Sequence, residues 1–184
     1  DHHAGGPGAG RGRAGGADVK VGLVSDSHGD VRRLNAALSA LAGRGAEAVV
    51  HCGDIGSAEC LGLLGGSGLV AAAVAGNMDR HTRRLAATAE RAGVQFSERQ
   101  IELDLGGGRH LAATHGHDAS LLEELIRGQQ FPYVCHGHTH RRRDERYGPV
   151  RVINPGALRH PRGHTGPSAA VLDTEADTLD YVSL

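Results

Sequence analysis

Val19-Lys20-Val21-Gly22-Leu23-Val24-Ser25-Asp26-Ser27-His28 is the stretch that decides the fold. The apolar run over residues 19–25 reads as a buried strand, and it ends on a carboxylate and an imidazole two residues apart. Residues i and i+2 of an extended chain point to the same side, so Asp26 and His28 can face one centre. Asp30 is expected to cap a helix in which Val31, Leu34, Leu38 and Leu41 keep helical spacing, with Gly43 and Gly45 ending it.

Outward from this unit the pattern repeats. Residues 46–51 and 69–75 read as strands, and 57–64 as a short helix. Residues 79–92 read as a helix with Arg on its solvent face, and Asp79 is expected to cap it. Residues 100–105 and 110–114 form an expected hairpin around Gly106, Gly107 and Gly108. A helix over 118–128 and strands over 133–136, 150–153, 169–172 and 179–182 complete the reading. Alternation in the first half and a strand-rich second half imply an α/β domain whose sheet curls or splits into two layers.

The chain has 184 residues, enough for one domain with a sizeable core. Aromatics make up only 3%, so Val, Leu, Ile and Ala must build that core. Residues 1–17 are rich in Gly and hold no large apolar side chain; they are expected to be a disordered tail without a secretory h-region, with the domain over 18–184. The net charge of −1 gives no overall pull on nucleic acid, and no apolar run is long enough to span a bilayer. Three cysteines without paired spacing argue against a disulfide framework, and a reducing compartment, the cytoplasm, is the simplest reading.

Five polar clusters each follow an apolar run: Asp26-Ser27-His28, Gly53-Asp54, Gly76-Asn77-Met78-Asp79, His115-Gly116-His117 and Gly137-His138-Thr139-His140. Ligands of open α/β sheets bind beyond the carboxyl ends of the strands, so five segments deliver O and N donors to one rim. Carboxylate, imidazole and amide without thiolate suit Mn²⁺, Fe²⁺, Zn²⁺ or Ni²⁺. The inventory exceeds what one tetrahedral ion needs, and two ions sharing a carboxylate is the economical reading. Two such ions about 3.5–4 Å apart clamp a phosphoryl group and acidify a water between them.

The order DxH, GD, GNxD, HGH, GHTH resembles the calcineurin-like metallophosphoesterase superfamily. Asn154-Pro155-Gly156 and Pro161-Arg162-Gly163 are similar to its small bacterial and archaeal phosphodiesterase branch, which also includes a retromer scaffold subunit. The resemblance spans residues 19–184. It implies a two-layer β-sandwich flanked by helices, in four layers α/β/β/α, and phosphodiester hydrolysis by a hydroxide bridging two divalent metals, Mn²⁺ first among them. By resemblance, Asp26, His28 and His140 are ligands of one ion and Asn77, His115 and His138 of the other, with Asp54 bridging. Spacing alone does not separate His115 from His117. The alternative that the branch implies is a protein-interaction scaffold of the same fold with little activity. Two positions depart from the pattern: Met78 stands where the wider superfamily often has a His that protonates the leaving group, and Ala157 where the branch often has Ser.

Around this set, His117 is read either as orienting a ligand or contacting substrate, or as a turn residue. Arg162 is a phosphate candidate, while the run Arg141-Arg142-Arg143-Asp144-Glu145 reads first as a solvated face. His51 and His136 end strands and read as structural histidines, and Cys52 and Cys135 as small buried hydrophobes. The expected partner is a small phosphoester substrate, without stable nucleic-acid or membrane binding; a homo-oligomer is left open.

Overall fold

The computed structural model describes residues 19–184; the tail expected over 1–17 lies outside them. The first half alternates as expected. β1 (Lys20–Val24), β2 (Ala48–His51), β3 (Val70–Val74) and β4 (Gln95–Ser97) are separated by α1 (Val31–Gly43), α2 (Ala58–Gly65) and α3 (Thr82–Ala92). The second half holds β5 (Ile101–Gly106), β6 (Arg109–Ala113), α4 (Ala119–Arg127), β7 (Tyr133–Cys135), β8 (Arg142–Tyr147), β9 (Val150–Pro155), β10 (Ser168–Asp173) and β11 (Thr178–Ser183).

The strands form two mixed sheets. One runs β11-β10-β1-β2-β3-β4, the other β5-β6-β7-β9-β8. β1 to β4 pair in parallel, and β10 returns antiparallel to β1. In the second sheet β6, β7 and β9 are parallel, and β5 and β8 are antiparallel edges. Helices α1 to α3 cover the first sheet through Leu34, Leu38, Leu41, Leu61, Leu64 and Leu85. The layer between the sheets is aliphatic, with Leu23, Val50, Val74, Leu103, Leu111, Ile153 and Leu172. Helix α4 closes the far side with Leu125 against Val134 and Val152. The result is the four-layer α/β/β/α sandwich. Each buried Leu contributes about 2 kcal/mol relative to exposure.

Local chemistry sets the helix starts. The carboxylate of Asp30 accepts from the Arg33 amide, Ser57 Oγ from Cys60 and Asp118 from Leu121. The expected cap on α3 is a correction. The helix begins at Thr82 behind His81, which makes no side-chain cap bond, and Asp79 is turned elsewhere. The charged run after His140 forms β8, a largely exposed edge strand, where charge discourages pairing with a further strand. β4 went unread because three residues carry no usable periodicity. Among the described residues no helix is long and apolar enough to cross a membrane.

Candidate metal centre

Each of the five clusters sits beyond the carboxyl end of a strand: Asp26 and His28 after β1, Asp54 after β2, Asn77 after β3, His115 and His117 after β6, His138 and His140 after β7. Parallel pairing within each sheet turns these ends the same way, and the sandwich brings both sets to one rim.

Asp26 is fully buried, and its two oxygens have different lives. Oδ2 accepts from Ser25 Oγ (2.6 Å) and the His138 amide (3.1 Å). Oδ1 has no hydrogen-bond partner, and lies 3.2 Å from His140 Nε2 and 3.6 Å from His28 Nε2. Asp54 repeats the arrangement. Its Oδ1 accepts from the Met78 amide (2.9 Å), and its Oδ2 lies 3.2 Å from His115 Nε2 and 3.6 Å from His28 Nε2.

The histidines are oriented from behind. His115 Nδ1 donates to the Cys52 carbonyl (2.8 Å) and His140 Nδ1 to the His160 carbonyl (2.8 Å). In a neutral ring that leaves Nε2 as a bare lone pair. The buried Nε2 of His115 therefore faces a carboxylate with no donor between them. Acceptors opposed to acceptors out of water are stable only around a positive charge. The groups converge in two sets, Asp26 with His28 and His140, and Asp26 with Asp54 and His115, with donor atoms within 4.8 Å of one another. The Asp/His cluster is thus compatible with metal binding. Asp26 belongs to both sets, a sharing that the sequence had suggested only for Asp54.

The electrostatics shows the same demand for positive charge: the carboxylates favour the cationic form of the rings beside them. Burial pushes the Asp54 carboxyl up, but the His115 ring and the Met78 amide outweigh it and bring it down to about 2. Asp26 is likewise lowered against its burial by the surrounding imidazoles and Ser25. His28 is raised, foremost by Asp26, and His115 is raised by Asp54 and Asp26 against its burial.

The backbone is strained where these groups sit. Asp26, His28, Asp54, His138 and His140 all have φ between +43° and +68°. The left-handed region costs an L-residue about 1 kcal/mol or more, and such outliers gather at functional sites. Two glycines make room: a Cβ on Gly76 would collide with the Asp54 carboxylate, and one on Gly137 with Ser25 Oγ and Asp26.

The remaining expected residues lie further out. His138 is exposed, its ring 5.1 Å from that of His115; His117 is exposed too, 5.6 Å from His115. Asn77 is exposed on its loop, beside the Met78 amide that holds Asp54. Arg162 is exposed, with its amide donating to the His140 carbonyl (2.9 Å). Met78 is 54% exposed, so it is not a core residue.

Histidines at strand ends behave as structural groups. His51 accepts from the Gly53 amide at Nδ1 (3.1 Å), so its Nε2 donates to Ser27 Oγ (2.8 Å). His136 Nδ1 donates to the Gly137 carbonyl, and its Nε2 accepts from Arg143. Burial drives both rings down to about 4. Cys52 and Cys135 are buried free thiols.

Sequence reasoning missed the supports at Ser25, His160 and Asp79, and gave Asn154 no role beyond its motif. Ser25 and the His160 carbonyl brace Asp26 and His140. Buried Asn154 donates to the Gly137 carbonyl and Thr139 Oγ1, fixing the loop that carries His138 and His140. The largest omission is Asp79, whose carboxylate accepts from three amides of the site loops. Its place two residues after Asn77, in a Gly-flanked turn, was the available signal.

Comparisons agree with this geometry. The calcineurin-like phosphoesterase superfamily domain matches residues 19–177. The phosphodiesterase MJ0936 of Methanocaldococcus jannaschii is 31% identical over 166 residues, covering 85% of this chain and 94% of that protein. A solved archaeal phosphodiesterase superposes with TM-score 0.81 at 28% identity, over 90% of this chain and 99% of that one. The phosphoesterase YfcE of E. coli shares the fold with TM-score 0.62 at 22% identity, over 89% of this chain and 98% of that one. With its ordered motifs gathered on one rim of the same sandwich, the chain belongs to the calcineurin-like phosphoesterase superfamily, a family of hydrolases.

Proposed function

We propose that the chain hydrolyses phosphodiesters of small molecules with the help of two divalent cations, Mn²⁺ foremost, held at this rim. The observation that carries the reading is the pair of buried acceptors, Asp26 Oδ1 and His115 Nε2, that no protein group satisfies. In this reading Asp26, His28 and His140 hold one ion, Asn77, His115 and His138 the other, and Asp54 is shared. When bound, such ions neutralise phosphoryl oxygens and acidify water for attack on phosphorus.

The chain's own residues do the positioning. The carbonyls of Cys52 and His160 lock the tautomers of His115 and His140, so their Nε2 atoms point inward. Ser25 and the amides of His138 and Met78 each take one carboxylate oxygen and leave the other free for the centre. Exposed Arg162 and His117 are the residues we assign to contact with the substrate phosphate. Met78 has no proton to offer a leaving group, so that proton comes from His117 or from water. The likeness to the phosphodiesterase MJ0936 and to a solved archaeal phosphodiesterase structure supports the diester over the monoester. Three free buried cysteines suit the cytoplasm.

The test is turnover of a generic aryl phosphodiester before and after chelation, with Mn²⁺, Ni²⁺, Fe²⁺ or Zn²⁺ restored singly. Activity is expected to vanish and return. Metal binding without turnover of any ester would favour the scaffold reading instead.

A further inference from the structure

We infer that Asp79 is a positioning residue that holds the shared carboxylate and Asn77 in register for the second cation. The inference rests on the two-cation reading above. Asp79 is only 7% exposed. Its Oδ2 accepts from the amides of Ile55 (3.0 Å) and Gly76 (2.8 Å), and its Oδ1 from the amide of Gly56 (3.0 Å). One carboxylate therefore ties the loop bearing Asp54 to the loop bearing Asn77.

Both loops depend on that tie at the residues that matter. Asn77 is flanked by two clamped amides: Gly76, held by Asp79, and Met78, held by Asp54. Asp54 precedes Ile55 and Gly56, the other two amides that Asp79 takes. The tie extends to the first loop, because the Ile55 carbonyl accepts from the Gly29 amide and Ser27 Oγ, and the Asp54 carbonyl from the His28 amide. Asp79 thus stands behind three ligand-bearing loops without entering the cluster. A helix cap would explain none of these bonds, since α3 starts three residues later.

An Asn at this position keeps the shape but loses an acceptor. One of its two ends becomes an NH₂ facing a backbone N–H, so at least one loop is released. Groups that orient metal ligands typically matter by about 10–100-fold in metal affinity.

The experiment compares demetallated wild type and Asp79→Asn by calorimetric Mn²⁺ titration and elemental analysis, with folding checked by circular dichroism. At least one of the two Mn²⁺ sites is expected to lose about 10–100-fold in affinity. Turnover at low Mn²⁺ should fall in kcat with KM for the diester unchanged, and excess Mn²⁺ should restore it. A folded variant that binds both ions like wild type, or a deficit that excess Mn²⁺ leaves in place, overturns the inference. If the Asn form does not fold, Asp79→Glu keeps the charge but shifts it by one methylene, and is held to the same two outcomes. Wild type that takes up no Mn²⁺ would instead overturn the two-cation reading beneath it.

Discussion

Two polar clusters of this protein use similar residues to opposite ends. Near the edge of the second sheet, Arg151 donates to both oxygens of Asp144 (2.8 and 2.9 Å) and to the Asp177 carboxylate and carbonyl. Tyr133 and Arg146 also reach Asp177. Arg151 is buried, and each carboxylate of this cluster meets a cation. At the rim, Asp26, Asp54, His28, His115 and His140 crowd together with no Arg or Lys among them, and two buried atoms, Asp26 Oδ1 and His115 Nε2, have no partner. A cluster whose charges close on themselves serves the fold. One left open, and held open by hydrogen bonds from behind, is built for something that arrives.

The largest blow to the open cluster should come from Asp54→Asn. The Met78 amide can still bond the side-chain oxygen, so the loop survives, but the negative charge that the proposed pair of cations would share is gone. Loss of several kcal/mol of transition-state stabilisation is expected, about 10³-fold in kcat/KM, with reduced metal content by elemental analysis. His51→Ala, which removes only a bracing ring, should cost less activity. Full metal loading with normal turnover in Asp54→Asn would erase the contrast between the clusters.

A pH series sharpens it next. His51 and His136 titrate near 4 when folded and near 6.5 when unfolded. Between those values the unfolded chain holds protons that the folded chain lacks. Their contribution is full above pH 6.5 and is lost as pH falls toward 4, on the order of 3 kcal/mol per ring at most. Below pH 6.5 the raised rings of His28 and His115 are protonated in both states, so in metal-free protein urea midpoints should decline from pH 6 to pH 5; a flat series there would mean the His51 and His136 rings are not buried as neutral groups.

Met78 offers a finer probe of the open side. Activated aryl diesters should be turned over better than alkyl ones, because no residue at this position protonates the leaving group. Met78→His is expected to flatten the dependence of rate on leaving-group pKa and to help poor leaving groups by about 10²-fold, if the ring reaches the departing oxygen. Since Met78 is exposed, the change should leave the melting temperature within a few degrees. Equal slopes for both proteins would show that the position has no part in proton delivery.

The closed cluster should respond in the opposite currency. Arg151→Met is expected to cost about 2 kcal/mol in urea unfolding, by taking from Asp144 the guanidinium that binds both its oxygens and from the Asp177 carbonyl its donor. Turnover per folded molecule should stay at the wild-type level. A drop in activity without a drop in stability would join the two clusters that the structure separates.

Much of this was legible in the sequence, for a physical reason. The parallel strands are buried on both faces, so they read as apolar runs, and the donors follow each run at once. The nearness of Asp26 and His28 was readable, though left-handed turns and not the extended chain assumed from spacing bring them together, and helix caps at Asp30 and Asp118 were readable from the residues themselves. What stayed hidden depends on tertiary hydrogen bonds. Asp79 looks like any cap ahead of a helix, and only the fold brings Ile55, Gly56 and Gly76 to it. The supports at Ser25 and His160 are hidden in the same way. The left-handed backbone at five of the donor residues has no signature in Asp or His, which are common in turns of every kind.

The central claim is that the open acceptors are completed by two divalent cations. Its most direct test is a titration of fully demetallated protein with Mn²⁺, following bound ions per chain and diester turnover in the same samples. Two ions per chain are expected, with turnover absent at zero and rising as the second site fills. Turnover that persists unchanged in protein free of metal, or that is complete with one ion per chain, would contradict it.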